Sequence, residues 1–174
     1  MMKLLHRFAI DQRGTAAIEF AFTFPMLLTL TIGMFEVAGF VSANMKLANT
    51  AQLISNLVAQ QSIETNALTT NFCNGGQMAL APLPTTSMKV SVASVTHKTG
   101  GTAVDWVDNT CGGSGITGAV TLAGPLTPNV GDSVIIVQVS YLYASPVSYV
   151  LATSYALTQT SFTRPRNVPN ITHT

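Results

Sequence analysis

The chain has 174 residues, room for one ordinary domain of about 100–150 residues plus an extension, which excludes a multidomain machine. Charged residues make up only 9% and hydrophobic residues 47%, with a positive mean hydropathy of +0.38, against roughly 25% charged in an average soluble domain; a disordered chain and an ordinary cytosolic surface are both excluded. Eight Lys and Arg against seven Asp and Glu leave a net charge of +1, so the basic footprint that nucleic-acid binding requires is missing and no nucleic-acid partner is expected.

Taken in chain order, the charges fall into a membrane-targeting layout. Lys3, Arg7 and Arg13 crowd the start beside one acid, Asp11, whereas Thr15 to Ala43 carries only Glu19 and Glu36. Phe20 to Phe35 is a run of sixteen uncharged residues. The 29 residues from Thr15 to Ala43 make about 43 Å of helix, enough for a hydrocarbon core of roughly 30 Å with both Glu near its ends. The cations before the segment place the N-terminus in the cytoplasm and everything after about residue 43 outside, a single-pass arrangement with the lipid bilayer as a partner. Glu36 lies about 32 Å along the helix from Thr15 and reads as an interface residue at the outer headgroup boundary. Pro25 removes the bond its N–H would make to the Ala21 carbonyl and is the expected kink.

From Asn44 to Gln60 the pattern turns amphipathic. Leu47, Ala51, Ile54 and Val58 recur at i, i+4, i+7 and i+11, with Lys46, Asn49, Asn56 and Gln60 between them, and neither Gly nor Pro interrupts. The spacing predicts one continuous helix over residues 15–60, its first half in lipid and its second half on a soluble domain. Past residue 70 the period changes to two. Met88, Val90 and Val92 alternate with Lys89 and Ser91, Ala103 to Val107 is a short second strand, and Ser133 to Ala144 and Tyr155 to Thr163 are the strongest. No helix-length crossover separates the last two, so antiparallel pairing is expected. Asn109 to Pro128, with five Gly and two Pro, reads as mostly loop. The fold class is therefore α+β: a long N-terminal helix followed by a small antiparallel β-sheet domain over residues 61–174. Tyr141, Tyr143, Tyr149 and Tyr155 read as core or cross-strand packing.

Cys73 and Cys111 are the only cysteines, each beside glycines and on the outward side of the span, where a disulfide is the natural reading and two unpaired thiols the alternative. His97 and His173 show no ligand spacing with them, so neither a metal nor a cofactor is expected. Asp105, Asp108 and Asp132 sit in turn-like or strand-end contexts and read as solvated turn residues. The chain has no Gly-x-Ser-x-Gly elbow, no Lys-terminated phosphate loop and no His-Glu-x-x-His; no catalytic residues are assigned, and neither an enzyme nor a small-molecule substrate is expected.

The run Arg13-Gly14-Thr15-Ala16-Ala17-Ile18-Glu19-Phe20, followed by Ala21-Phe22 and Pro25-Met26-Leu27-Leu28, resembles the N-terminal motif of the TadE-like pseudopilins of the Tad (Flp) pilus system, a relative of type IV pili. Val137 to Tyr143 with Pro146, and Leu157 to Arg166 ending in Arg164-Pro165-Arg166, resemble the β segment and closing motif of TadE- and TadG-like proteins, and the chain length favours the TadE type. The resemblance implies a pilin-like fold and a minor pseudopilin. A prepilin peptidase would remove a leader, residues 1–14, by cutting between Gly14 and Thr15, and the subunit would join other pilins and pseudopilins through the inner-membrane assembly platform. The processed subunit would sit in the bacterial inner membrane with its β domain periplasmic, or in the extracellular pilus. Glu19, with the aromatic Phe20 after it, would pair with the new amine of a neighbouring subunit and set axial register. Unpartnered, that carboxylate costs about 2.5–3.5 kcal/mol within a span. Two other readings stay open: an uncleaved signal-anchored periplasmic protein, and a secreted soluble binding domain cut by signal peptidase after Ala43.

Overall fold

The computed structural model describes residues 14–151 and 153–174; the leader expected at the N-terminus lies, up to Arg13, outside the described residues. Two compact units divide the chain. One comprises the described residues through Gly39 together with Ser145–Thr153, the other Phe40–Ala144 with Ser154–Thr174.

Helix α1 (Thr15–Val58) runs 44 residues without a break, Pro25 inside it. Within the first unit every residue from Gly14 to Thr31 is exposed, so Phe20, Phe22, Phe24, Met26, Leu27, Leu28 and Leu30 present an apolar surface on all sides. A helix of that kind wants lipid or other helices around it. Three of its threonines donate inward: Thr23 Oγ1 to the Glu19 carbonyl (3.0 Å), Thr29 Oγ1 to Pro25 (2.9 Å) and Thr31 Oγ1 to Leu27 (2.8 Å), which satisfies those hydroxyl protons within the helix. Among the described residues α1 is the one helix long and apolar enough to cross a membrane.

The second unit is a four-stranded antiparallel sheet in the order β3-β2-β4-β5, built from β2 (Lys89–Lys98), β3 (Gly101–Asp108), β4 (Ser133–Ala144) and β5 (Ser154–Thr163). The stripe Leu47, Ala51, Ile54 and Val58 of α1 is buried to 1% exposure or less and joins Val90, Val92, Ile135, Val137, Val139, Tyr141 and Tyr143 in the main core. The opposite sheet face has a smaller core, in which Val95, Val134 and Ile136 pack on Ala119 and Ala123 of the short helix α3 (Ala119–Ala123). This second cover explains why the first half of β4 is buried on both faces while its second half alternates in and out.

Two elements differ from the sequence expectation. Asn66–Leu80 is a helix, α2, capped by the Thr65 hydroxyl, which accepts from the Leu68 N–H (3.2 Å). Asn109 to Pro128 is mostly loop, as expected, but it also contains the unforeseen helix α3 and a 3₁₀ turn, Gly124–Leu126. A two-residue parallel pair, β1 (Ile63–Glu64) with β6 (Thr172–His173), closes the domain. Cys73 of α2 and Cys111 stand at disulfide distance, Cα atoms 6.4 Å apart, bridging 38 residues; such a closure stabilises by about 3–4 kcal/mol on the chain-entropy account. After Cys111 the chain lies against β2, the Val90 N–H donating to the Cys111 carbonyl (3.2 Å). A Cβ at Gly113 would stand 2.4 Å from the Val90 carbonyl oxygen, so only glycine allows this approach.

Ile54 is fully buried in the main core. Ile54→Ala is therefore expected to cost about 2–5 kcal/mol in urea unfolding followed through the β-sheet signal, while Leu53→Ala, at a position 39% exposed, costs much less; equal losses would contradict the stripe.

Candidate functional site

The motif residues sit at the start of α1. Gly14, in 3₁₀ conformation, precedes the first residue of α1, Thr15, and both are exposed, as is Glu19 one turn further on. Phe20 is 60% exposed and lies against Phe24 one turn later, ring centroids 5.4 Å apart. Pro25 is accommodated without ending the helix. The surface around Glu19 is thus an apolar helix carrying one carboxylate and, at its start, an accessible glycine.

Arg164, Pro165 and Arg166 follow β5 directly and act as fasteners. The Arg164 guanidinium donates to the Leu126 carbonyl (2.7 Å) and lies 4.0 Å from Asp132. The Arg166 backbone N–H donates to the Ala59 carbonyl (2.9 Å) and its guanidinium to Asn56 Oδ1 (3.1 Å), which ties the end of the sheet to the end of α1.

Glu36 has a role the sequence reading did not anticipate. It is 2% exposed, and its carboxylate accepts three consecutive backbone N–H bonds from the β4–β5 loop: Tyr149 (2.6 Å), Val150 (2.9 Å) and Leu151 (2.7 Å). Ser148, with φ of 53°, sits in the left-handed region, and the turn there aims the following amides at one point. Its hydroxyl donates to the Ser145 carbonyl (3.0 Å), which holds that turn. One turn before Glu36, a Cβ at Gly33 would stand 3.2 Å from the Val150 side chain, so the glycine leaves room for the loop to settle on the helix. No sequence signal marks this pairing, because 113 residues separate Glu36 from Tyr149 and the loop contributes only backbone.

A second cluster lies in the β domain. The expectation of a solvated turn residue fails at Asp108, which is 3% exposed at the end of β3. The Thr69 hydroxyl stands 2.5 Å from Asp108 Oδ2 and 2.6 Å from Glu64 Oε1, and His173 Nε2 is 3.2 Å from the same Asp108 oxygen. One hydroxyl has one proton, so both short contacts are satisfied together only if one carboxyl is protonated and donates to Thr69. Of the two, Glu64 is the one disposed to hold that proton: its fully buried side chain has one oxygen without a partner among the described residues, and burial first, then the Asp108 charge, raise its pKa from the ordinary 4.5, against the bond that Thr69 would donate to the ionised form and the His173 charge. Burial also pulls Asp108 upward, but hydrogen bonds from Thr110, Thr69 and His173 together outweigh it and hold its pKa below the ordinary 3.8. Trp106 covers the cluster, its ring centroid 5.2 Å from that of His173 and its N–H donating to the Ile171 carbonyl (2.6 Å). Among the described residues no group of His, Cys, Asp or Glu is arranged to hold a metal ion.

An exposed apolar N-terminal helix long enough to cross a membrane, followed by an antiparallel sheet domain, suits membrane anchoring through that helix. Residues 14–53, the motif and most of α1, match the model of the family described as TadE-like protein, a family of structural pilus components. No curated protein and no solved structure matches the chain.

Glu36→Ala removes the acceptor for three amides, so hydrogen exchange at Tyr149, Val150 and Leu151 is expected to quicken by about 10-fold or more while exchange in β4 is unchanged. Unaltered exchange at those three amides would mean that the carboxylate does not hold the loop. The acid cluster sets a pH dependence. Glu64, with a raised folded pKa, lends stability that is full below about pH 4.5 and is lost as pH rises through the folded value; Asp108, with a lowered one, lends stability present above 3.8 and lost as pH falls through its folded value. Glu64→Gln keeps an amide N–H that can donate to Thr69 and cannot ionise, so its melting temperature should exceed that of the parent increasingly as pH rises from about 4.5 towards neutral. Parallel melting curves across that range would contradict a protonated Glu64.

Proposed function

We propose that this chain is a minor pseudopilin of a Tad (Flp) type pilus. A prepilin peptidase of the membrane cleaves it between Gly14 and Thr15, and it then enters the filament or its base through α1. The observation that carries this reading is the surface of α1 at its start: an exposed Gly-Thr junction, one exposed carboxylate at Glu19, and an apolar surface all round that the chain itself leaves uncovered. The family match over residues 14–53 supports the same reading.

The mechanism follows from those groups. Gly14 has no side chain, so a protease can approach the backbone closely and the peptide can leave helical geometry for attack. Cleavage at that bond releases the leader and creates an α-ammonium at Thr15. In an assembled bundle the Glu19 carboxylate of one subunit and the Thr15 amine of the next would offset two charges that lipid or apolar helices otherwise disfavour. Only one axial offset brings them together, so the pair fixes register. The partners are the prepilin peptidase, other pilins and pseudopilins and the inner-membrane assembly platform, with the β domain on the periplasmic side.

Sequencing the N-terminus of protein purified from its native membrane should give Thr15 as the first residue. A start at Asn44 would indicate signal peptidase cleavage after Ala43, and a start at Met1 or Met2 an uncleaved anchor; either would overturn the reading. Glu19→Ala should still be cleaved yet enter filaments far less, by about 10-fold, read from sheared pili by immunoblot. Unchanged incorporation would remove the register role.

A further inference from the structure

We propose that the β4–β5 loop is a second membrane-contacting element, held by Glu36 in the lipid interface at the end of the span distal to Thr15. Ser145 to Thr153 contains no charged residue. Its side chains Val147, Tyr149 and Val150 are 55%, 63% and 55% exposed, an apolar patch with one phenol. In water such a patch has no partner, and in the headgroup region Tyr is among the residues that settle best, ring toward the chains and hydroxyl toward water.

Backbone is the usual obstacle to placing a loop in lipid, because each unsatisfied N–H is costly there. In this loop three consecutive amides, at Tyr149, Val150 and Leu151, already donate to Glu36. The same bonds solve the converse problem. A carboxylate 21 residues into an apolar helix, about 32 Å from Thr15, meets the edge of a hydrocarbon core of roughly 30 Å, where it needs donors. The Glu36 carboxylate and these three amides thus satisfy each other, and Val147, Tyr149 and Val150 turn outward beside Pro146 and Thr153. The loop sits directly on α1, its amides on Glu36 and the Val150 side chain at Gly33, in the stretch where α1 also exposes Met34, Phe35 and Val37. Continuity with the spanning surface selects lipid as the occupant over a second copy of the chain.

The proposal rests on α1 crossing a bilayer, and the test separates the two. The full chain is reconstituted at high dilution in phosphatidylcholine vesicles, with and without acyl-chain-brominated phosphatidylcholine, as Tyr149→Trp and, separately, as Phe22→Trp; the signal of Trp106 in the parent chain is subtracted. Tyr149→Trp should be blue-shifted and quenched about 2-fold or more by the brominated lipid, and adding Glu36→Ala should abolish most of that quenching while leaving Phe22→Trp quenched. Quenching at Phe22→Trp without quenching at Tyr149→Trp overturns the loop proposal and leaves the span standing. A photo-crosslinker at position 149 that then joins two copies at high protein density would assign the patch to a second copy instead. No quenching at Phe22→Trp overturns the spanning reading and the loop proposal with it.

Discussion

One uninterrupted helix presents two kinds of surface, apolar on every side near its start and striped towards its end, and the described sheet domain is built on the second. Up to Thr31 the exposed surface of α1 is apolar on every side apart from its start, its threonines turned back onto its own carbonyls. From Ala43 to Val58 the same helix has an apolar stripe, and that stripe is the seed of the main core. A helix apolar all round finds no preferred face on a small sheet, whereas a stripe at i, i+4, i+7 and i+11 does. The sheet domain therefore packs on the second part.

The acids show how unevenly a low charge count is distributed in its consequences. Glu19 is exposed at the start of the helix and open to a partner outside the chain. Glu36 is buried and fully engaged by three amides. Glu64 and Asp108 are buried and linked through one hydroxyl, and they are pushed apart: burial raises the pKa of Glu64, while hydrogen bonds lower that of Asp108. Apart from the motif around Glu19, nothing in local sequence separates these cases. What separates them is the supply of N–H and O–H donors from segments distant in the chain.

Elements whose pattern is periodic were legible. The stripe Leu47, Ala51, Ile54 and Val58, the strand Ser133–Ala144 and the antiparallel partner ending at Thr163 all follow from spacing, because a helix repeats at 3.6 residues and a strand at two. Helix α2 was not. Its Asn-, Thr- and Gly-rich sequence has weak helix propensity, and it is fixed by the Thr65 cap, the Cys73–Cys111 link and the seating of Gly76, where a Cβ would meet Ile54 at 2.8 Å. Helix α3 is five residues in a Gly-rich stretch, held by packing against Val95, Val134 and Ile136.

The sequence by itself determined the apolar span and its bracketing charges, the Gly14 to Phe20 motif and the α+β order of elements, because each is a property of neighbouring residues and of short periods. Only the tertiary structure decided the partners of Glu36 and Asp108, the second cover over β4 and the outward face of the β4–β5 loop. Those depend on backbone amides and side chains that are remote along the chain and meet only when the sheet has formed, and a backbone donor leaves no trace in residue identity.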